Sequence, residues 1–220
     1  DLGAASSRPG ATAISAAEEW KRLENVLSAV RSAFPEIFIS VDTWHSEVAG
    51  KAAAEGADII NDISGGEFDP AMTDKVASLD LPYIVMHMEG TPQTMSRNAP
   101  YDDVVSTVSR FFEKKITDLK ERGFSKLILD PGFGFGKSLE NNYELLKNLT
   151  AFRIFDFPVL AGVSRKSMIN KVAGTNPVTA LNGTTALNTI ALLNGASILR
   201  VHDVAEARQV AELVEFYKSV

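Results

Sequence analysis

The chain has 220 residues, of which 45% are hydrophobic and 23% are charged, and this is the composition of an ordinary globular protein. The formal net charge of −6 argues against a nucleic-acid partner, and the absence of cysteine excludes disulfides, thiolate zinc sites and a cysteine nucleophile. The sequence contains no signal-peptide pattern and no apolar run of membrane length, so we expect a cytoplasmic protein with no membrane partner.

The first residues resemble the end of a strand. Asp1-Leu2-Gly3 leads into a loop of small residues, Gly3 to Gly10, and then into a helix that Ser15 and Glu18 should cap. We therefore expect the sequence to begin inside a domain, with roughly 50 further residues before Asp1.

From there, a short apolar run, a polar residue and a helical segment recur in that order. Strands alternating with helices indicate a parallel sheet, and apolar runs without polar alternation indicate strands buried on both faces. The predicted strands are 37–41, 57–60, 82–86, 127–129, 158–161 and 197–199. The predicted helices are 46–55, 70–79, a long one from Tyr101, 139–148, 182–193 and 204–217.

Polar residues follow nearly every predicted strand, and this distinguishes two α/β architectures. In a (β/α)8 barrel all strand ends form one rim, whereas a doubly wound open sheet collects its ligand contacts at one switch point. We therefore predict an α/β fold of the (β/α)8 TIM-barrel type, as a single domain over 1–220. About six and a half of the eight βα units are present, and the others would precede Asp1.

The loop from Asp130 to Lys137, Asp-Pro-Gly-Phe-Gly-Phe-Gly-Lys, is the most informative stretch. It places a carboxylate at a strand end beside aromatic rings and bare backbone, which suits a flat ring that donates two parallel N–H bonds. Its glycine spacing fits neither the dinucleotide fingerprint nor the phosphate-binding P-loop. An ordinary turn is the simpler alternative.

Three strand ends carry an acid or an amide, namely Asp42, Asn61 and Asp130. Each residue could instead cap the following helix, where Asp and Asn are favoured. Together on one rim, they could bind the edge of a heterocycle that carries amino, ring N–H and carbonyl groups.

Basic residues follow two later strands. Ser164-Arg165-Lys166 could be a solvated turn, or its lysine could reach the ring and its serine a second substrate. Arg200 and His202 are two residues apart on an extended segment, and with Arg8 they could hold a diphosphate. A buried structural histidine is the alternative for His202. The carboxylates and histidines do not have the spacing of a catalytic zinc site.

Together these segments resemble the motifs of the dihydropteroate synthase family, in the family's order and along the whole chain. The resemblance implies a (β/α)8 barrel transferase of folate biosynthesis that is a sulfonamide target. Such an enzyme joins p-aminobenzoate to 6-hydroxymethyl-7,8-dihydropterin diphosphate and releases pyrophosphate. We also expect a homodimer. The matching segments are Gly3–Gly10, Val41–Thr43, Ile60–Gly66, Met86–Pro92, Asp130–Lys137, Ser164–Ser167 and Arg200–Asp203.

The resemblance also implies residue roles. The pterin would be bound by Asp42, Asn61, Met86, Asp130, Phe135, Gly162 and Lys166. The p-aminobenzoate would be bound by Ser7, Arg8, Pro9, Phe135, Ser164 and Lys166. The diphosphate would be bound by Arg8, Arg200 and His202, which with Lys166 form the expected catalytic set. Mg2+ would be the cofactor, but the family's Mg2+-binding loop has no counterpart in the sequence, so we expect no metal ligand in it.

Three other functions fit part of the pattern. A pterin-binding methyltransferase domain would share the acids and amide, but it has no diphosphate for Arg200 and His202 to hold. A nucleotide hydrolase is disfavoured by the loop spacing. A truncated, non-catalytic chain that binds pterins or sulfonamides is the third.

Overall fold

The computed structural model describes residues 1–6, 12–91, 94 and 101–220, and their strands and helices alternate along the chain. The strands are β1 (Leu2–Gly3), β2 (Ser40–Asp42), β3 (Ile59–Asp62), β4 (Tyr83–Met86), β5 (Leu127–Asp130), β6 (Leu160–Ala161) and β7 (Ile198–Leu199). The α-helices are α1 (Ala16–Ala33), α2 (Ser46–Ala54), α3 (Met72–Leu79), α4 (Val104–Glu121), α5 (Leu139–Lys147), α6 (Ser167–Ala173), α7 (Leu181–Leu193) and α8 (Val204–Ser219). A 3-10 helix spans Leu149–Phe155.

The six predicted strands and the helices between them are confirmed, with shifted ends. The largest shift concerns the strand predicted from residue 37, which begins at Ser40. The Arg31 guanidinium donates hydrogen bonds to the carbonyls of Pro35 and Ile37 at 2.8 and 2.9 Å, which holds this segment outside the sheet. As a result Phe38 is 83% exposed, although it belongs to the apolar run. The prediction missed α6 and the 3-10 helix.

The chain divides into two compact units, and each is described separately. Unit 1 consists of Asp1–Ser96 and Phe111–Ile128, and unit 2 of Arg97–Arg110 and Leu129–Val220. The parallel sheet of unit 1 has the order β1-β2-β3-β4-β5, and β5 enters it through its first two residues. In unit 2, β6 and β7 form a parallel pair, and Leu129 bridges to Val159 beside them.

The core of unit 1 lies between its sheet and the helices α1 and α2. Apolar residues of α1 pack against β2 and α2, and Ser15 caps α1 by accepting a hydrogen bond from the Glu18 N–H at 3.2 Å. Unit 2 has its own core, which includes Phe133 and Phe152 at 0% exposure. In unit 2, Ser138 and Asn141 form a capping box at the start of α5. Among the described residues, no helix combines the length and the apolarity needed to cross a membrane.

Candidate active site

In unit 1, the register of the sheet brings the predicted strand-end residues side by side. Gly3 pairs with Asp42, and Asp42 pairs with Asn61. Paired residues of parallel strands point to the same face, so the carboxylate and the amide are neighbours. Asn61 is only 3% exposed. A Cβ atom on Gly3 would lie 3.2 Å from the Asp42 Cβ, so glycine leaves room for the Asp42 side chain.

Two further residues of unit 1 are close to this pair. Met86 is 1% exposed and lies two residues after Ile84, which pairs with Asn61, so Met86 shares the face of Asn61. Asp1 was not predicted as a site residue. Its carboxylate accepts hydrogen bonds from the Asn61 amide at 3.3 Å and from the Ser40 hydroxyl at 2.8 Å. The pairing of β1 with β2 is the signal that could have found it.

The alternative role of helix capping is wrong for the three strand-end residues. The N-caps of α2, α3 and α5 are His45, Ala71 and Ser138, not the acids and amide at the strand ends.

In unit 2, the glycine-rich loop has the open conformation that its sequence indicates. Gly132, Gly134 and Gly136 all have positive φ angles, of 71°, 83° and 68°, which side chains rarely adopt. Gly132 donates its N–H to the Asp130 carboxylate at 2.8 Å. Phe133 is fully buried, whereas Phe135 is half-buried. The loop thus leaves one aromatic ring accessible beside the acid.

Two residues that sequence reasoning missed hold this loop. The Lys137 ammonium donates to the carbonyls of Gly132 at 2.9 Å and Phe135 at 3.2 Å. Asn142, in the first turn of α5, accepts the Gly134 N–H at 2.6 Å and donates to the Lys137 carbonyl at 3.2 Å. Lys137 ends the predicted loop, but its buried position could not be inferred from the spacing of the sequence.

Lys166 is a second cation that contacts the loop. Its ammonium donates to the Phe133 carbonyl and lies 4.7 Å from the centre of the Phe135 ring, a cation–π distance. Burial lowers the pKa of Lys166 to about 8, while the charge of Asp130 raises it and that of Arg200 lowers it. A ligand that accepts hydrogen bonds from this buried ammonium would stabilise its charged form.

Asp130 is the buried acid of this group, with 5% exposure. Burial raises the pKa of its carboxyl, and the charge of Lys166, the N–H of Gly132 and the charge of Arg200 oppose that effect. A buried carboxylate flanked by cations accepts hydrogen bonds from ring N–H donors at little further cost in desolvation.

Gly162 lies between the two cations. A Cβ atom there would be 3.9 Å from the Arg200 Cβ and 4.0 Å from the Lys166 ammonium nitrogen. Glycine therefore keeps the space beside both cations free for a ligand.

His202 is exposed, so its interpretation as a buried structural histidine is wrong. Its Nδ1 lies 2.9 Å from the Ser164 hydroxyl oxygen, which also accepts the His202 backbone N–H at 3.2 Å. The Ser164 hydroxyl thus contacts both the backbone and the ring of His202.

Unit 2 thus gathers an acid, an aromatic ring, two cations, a histidine and a hydroxyl after the ends of β5, β6 and β7. The acid of this set can accept hydrogen bonds from the N–H groups of a ring, and its two cations can bind an anion. The predicted roles of Ser7, Arg8 and Pro9 lie outside the described residues.

Comparison with known proteins identifies the family. Residues 1–202 match the sequence profile of the family described as pterin binding enzyme. The dihydropteroate synthase of Escherichia coli is 45% identical over 174 residues, which are 78% of this chain and 61% of the relative. That of Haemophilus influenzae is 44% identical, over 78% of this chain and 62% of the relative. The chain therefore spans about three fifths of the length of these curated relatives.

Solved structures agree with this assignment. The dihydropteroate synthase of Yersinia pestis, determined with a sulfonamide drug, has a TM-score of 0.94 and 39% identity, over 98% of this chain and 78% of that one. The Xanthomonas albilineans enzyme with 4-aminobenzoic acid has a TM-score of 0.92 and 38% identity, over 99% and 78%. These similarities confirm the predicted (β/α)8 barrel fold class. The chain belongs to the pterin-binding enzyme family, and its relatives there are dihydropteroate synthases.

Proposed function

We propose that the protein is a dihydropteroate synthase of folate biosynthesis, which condenses 6-hydroxymethyl-7,8-dihydropterin diphosphate with p-aminobenzoate and releases pyrophosphate. The observation that carries this proposal is the group of Asp130, Lys166 and Arg200 beside Phe135, since it offers complementary contacts to both a pterin ring and an anion.

The pterin ring would be recognised mainly by Asp130 and Lys166. The carboxylate accepts hydrogen bonds from the amino and ring N–H groups, while the ammonium donates to a ring carbonyl or nitrogen. Phe135 offers a flat apolar surface to the ring. We assign the remaining pterin contacts, by the family resemblance, to Asp42, Asn61, Met86 and Gly162.

Stabilisation of the leaving group would dominate the chemistry. When the bond between the methylene carbon and oxygen breaks, the electron pair leaves with the pyrophosphate, whose charge Arg200 and Arg8 neutralise while His202 offers it a hydrogen bond. The methylene cation is conjugated with the electron-rich pterin. The amine of p-aminobenzoate then attacks this carbon and loses a proton, so no enzyme nucleophile is needed.

The p-aminobenzoate would bind beside Phe135, Lys166 and Ser164, and near Ser7, Arg8 and Pro9. Its position next to the methylene carbon is what the reaction requires, since two bound reactants held in line react far faster than free ones. Sulfonamides, which resemble p-aminobenzoate in shape, would compete for the same contacts.

We propose Mg2+ as a cofactor on the family resemblance alone. Within residues 1–6, 12–91, 94 and 101–220, no group of three or more His, Asp or Glu side chains could hold a metal ion. The described residues therefore do not fit this metal. Chelation with EDTA, followed by addition of Mg2+, tests whether turnover needs it.

We further propose a homodimer and a cytoplasmic location. Three large apolar side chains of α8 support the homodimer, because Leu213, Phe216 and Tyr217 are each at least 68% exposed. Replacement of Leu213 by Glu should yield monomers in light scattering at micromolar protein. A monomeric parent would contradict the proposal.

The diphosphate assignment separates a synthase from a pterin-dependent methyltransferase. Arg200→Ala should weaken binding of the pterin diphosphate at least tenfold, because a bidentate charge contact is lost, and leave binding of 6-hydroxymethylpterin nearly unchanged. Calorimetry with both ligands measures this difference. Equal losses for the two ligands would argue against a diphosphate site at Arg200.

A further inference from the structure

Arg165 has an unusual backbone conformation between two proposed site residues. Its φ angle is +56°, which L-residues with long side chains rarely adopt. Among the described residues, the other non-glycine positions with a positive φ angle are Asp80 and Asp156. Both of these end a helix, where the left-handed conformation is common. Arg165 ends no helix, so its conformation needs a different explanation.

Four hydrogen bonds hold Arg165 in this conformation. Its Nε and Nη2 atoms donate to the two carboxylate oxygens of Asp203 at 3.0 and 2.5 Å, which is a bidentate ion pair. Its Nη1 donates to the Pro177 carbonyl at 3.0 Å, and its backbone N–H donates to the Thr184 hydroxyl at 3.0 Å. Thr184 is 1% exposed, so the backbone of Arg165 is fixed to the interior of unit 2.

The ion pair joins two segments that carry proposed site residues. Ser164 and Lys166 flank the arginine, and His202 directly precedes the aspartate. The Ser164 hydroxyl contacts His202, whereas the Lys166 ammonium contacts the Phe133 carbonyl and the Phe135 ring. On the two sides of the kink at Arg165, Ser164 thus contacts His202 and Lys166 contacts the glycine-rich loop. The Arg165 side chain itself binds Asp203, which directly follows His202.

We propose that the Arg165–Asp203 ion pair is a positioning clamp, which aligns Lys166 at the pterin with His202 at the diphosphate and with Ser164, which holds the His202 ring. Neither member of the pair is assigned a contact with substrate. The inference rests on the proposed function, because it concerns the alignment of groups that act on the two parts of one substrate.

A role in stability alone fits the geometry less well. The side chains of the pair are 30% and 14% exposed, so water screens the pair and limits its contribution to stability, even though its geometry is bidentate. Displacement of a reacting group by about 1 Å, in contrast, can reduce a rate by about a hundredfold. The clamp should therefore affect turnover much more than it affects unfolding.

The substitutions that test the clamp are made in the full-length protein. Arg165→Gly removes the ion pair and tolerates the positive φ angle, so its effect is free of backbone strain. Asp203→Asn removes the charge from the other side, and Arg165→Lys retains the charge without the bidentate geometry. Arg122→Gln is the matched control, because Arg122 also pairs with carboxylates, those of Asp74 and Asp118, on the surface of unit 1.

Arg165→Gly and Asp203→Asn should each lower kcat at least about tenfold, with a Tm within about 4 °C of the parent. Arg165→Lys should recover part of the loss, and Arg122→Gln should retain parental kcat. The double variant should be no slower than the slower single variant, since both substitutions break one unit. Binding of phosphate-free 6-hydroxymethylpterin should weaken too, but by a smaller factor than kcat, since Lys166 is displaced while Asp130 is still held by the Gly132 N–H.

Parental kcat in either single variant would overturn the clamp, as would losses that multiply in the double variant. The clamp would also be overturned if Arg122→Gln lowered kcat as much as Arg165→Gly does, since the loss would then be a general effect of surface charge. Absence of turnover in the parent protein itself would refute the proposed function, and the clamp with it.

Discussion

Lys166 should cause activity to fall at alkaline pH. Burial lowers the pKa of its ammonium to about 8, from an ordinary value of 10.5. With a pKa of about 8, roughly nine tenths of Lys166 is charged at pH 7 and roughly one tenth at pH 9. If the charged form binds the pterin, kcat/KM should fall about tenfold between these two pH values, since this parameter reports groups of the free enzyme.

The same pKa has a consequence for stability. Because the folded protein binds this proton less tightly than the unfolded chain does, the stability contributed by Lys166 increases as the pH rises from about 8 to 10.5. Below pH 8 both states hold the proton, and the full penalty for the buried charge is present.

Two substitutions should move the pKa of Lys166 in opposite directions. Asp130→Asn removes a negative charge that favours the ammonium, so the pKa of Lys166 should fall below 8. Arg200→Gln removes a positive charge that disfavours it, so the pKa should rise above 8. Lys126→Gln is the control, since this lysine lies on the surface and pairs with Asp80.

Nuclear magnetic resonance of lysine labelled with 13C at Cε follows this titration without turnover, and Lys166→Arg identifies the signal. The arginine variant stays charged throughout and should lose the alkaline decline in kcat/KM. A parent Lys166 that titrates near 10.5 would refute the reasoning, and so would an increase of its pKa in Asp130→Asn.

Three other substitutions test single contacts. His45→Ala should lower the free energy of unfolding in urea by about 1–3 kcal/mol, because it leaves the fully buried Glu19 carboxylate without its hydrogen-bond partner at 2.6 Å; an unchanged value would contradict the burial of Glu19. Gly65→Ala should lower the free energy of unfolding by about 2 kcal/mol or more, since the added Cβ would lie 2.7 Å from an atom of the Phe111 ring. This loss should exceed that of the control Gly123→Ala, where φ is also positive but no atom lies within 4 Å of the added Cβ. Asp130→Ala should weaken pterin binding by roughly 1–3 kcal/mol in calorimetry. If the variant binds the pterin as tightly as the parent does, Asp130 is not part of the binding site.

The positions of the strand-end residues could be predicted because they depend on local features. An apolar run of four or five residues followed by an acid or amide fixes both the strand and its polar end, as at Leu127 to Asp130. The open loop after this strand could be predicted for the same reason. Its three glycines stand at alternate positions, and each of them has the positive φ angle that glycine adopts easily.

Contacts between distant parts of the sequence could not be predicted in this way. Arg31 is bound to the Gly56 carbonyl, 25 residues later, and the kink at Arg165 is held by Asp203, 38 residues later. Nothing in the spacing of Ser164-Arg165-Lys166 distinguishes an arginine bound to a carboxylate from one in solvent. The roles of Asp1 and Lys137 likewise depend on register and burial, which only the folded chain defines.

The most direct test of the account is the stoichiometry of the reaction catalysed by the full-length protein. With 6-hydroxymethyl-7,8-dihydropterin diphosphate and labelled p-aminobenzoate, one pyrophosphate should be released for each labelled dihydropteroate formed. Arg200→Ala should abolish most of both products together. Binding of the pterin without formation of either product, or pyrophosphate release without incorporation of p-aminobenzoate, would contradict the assignment as a synthase.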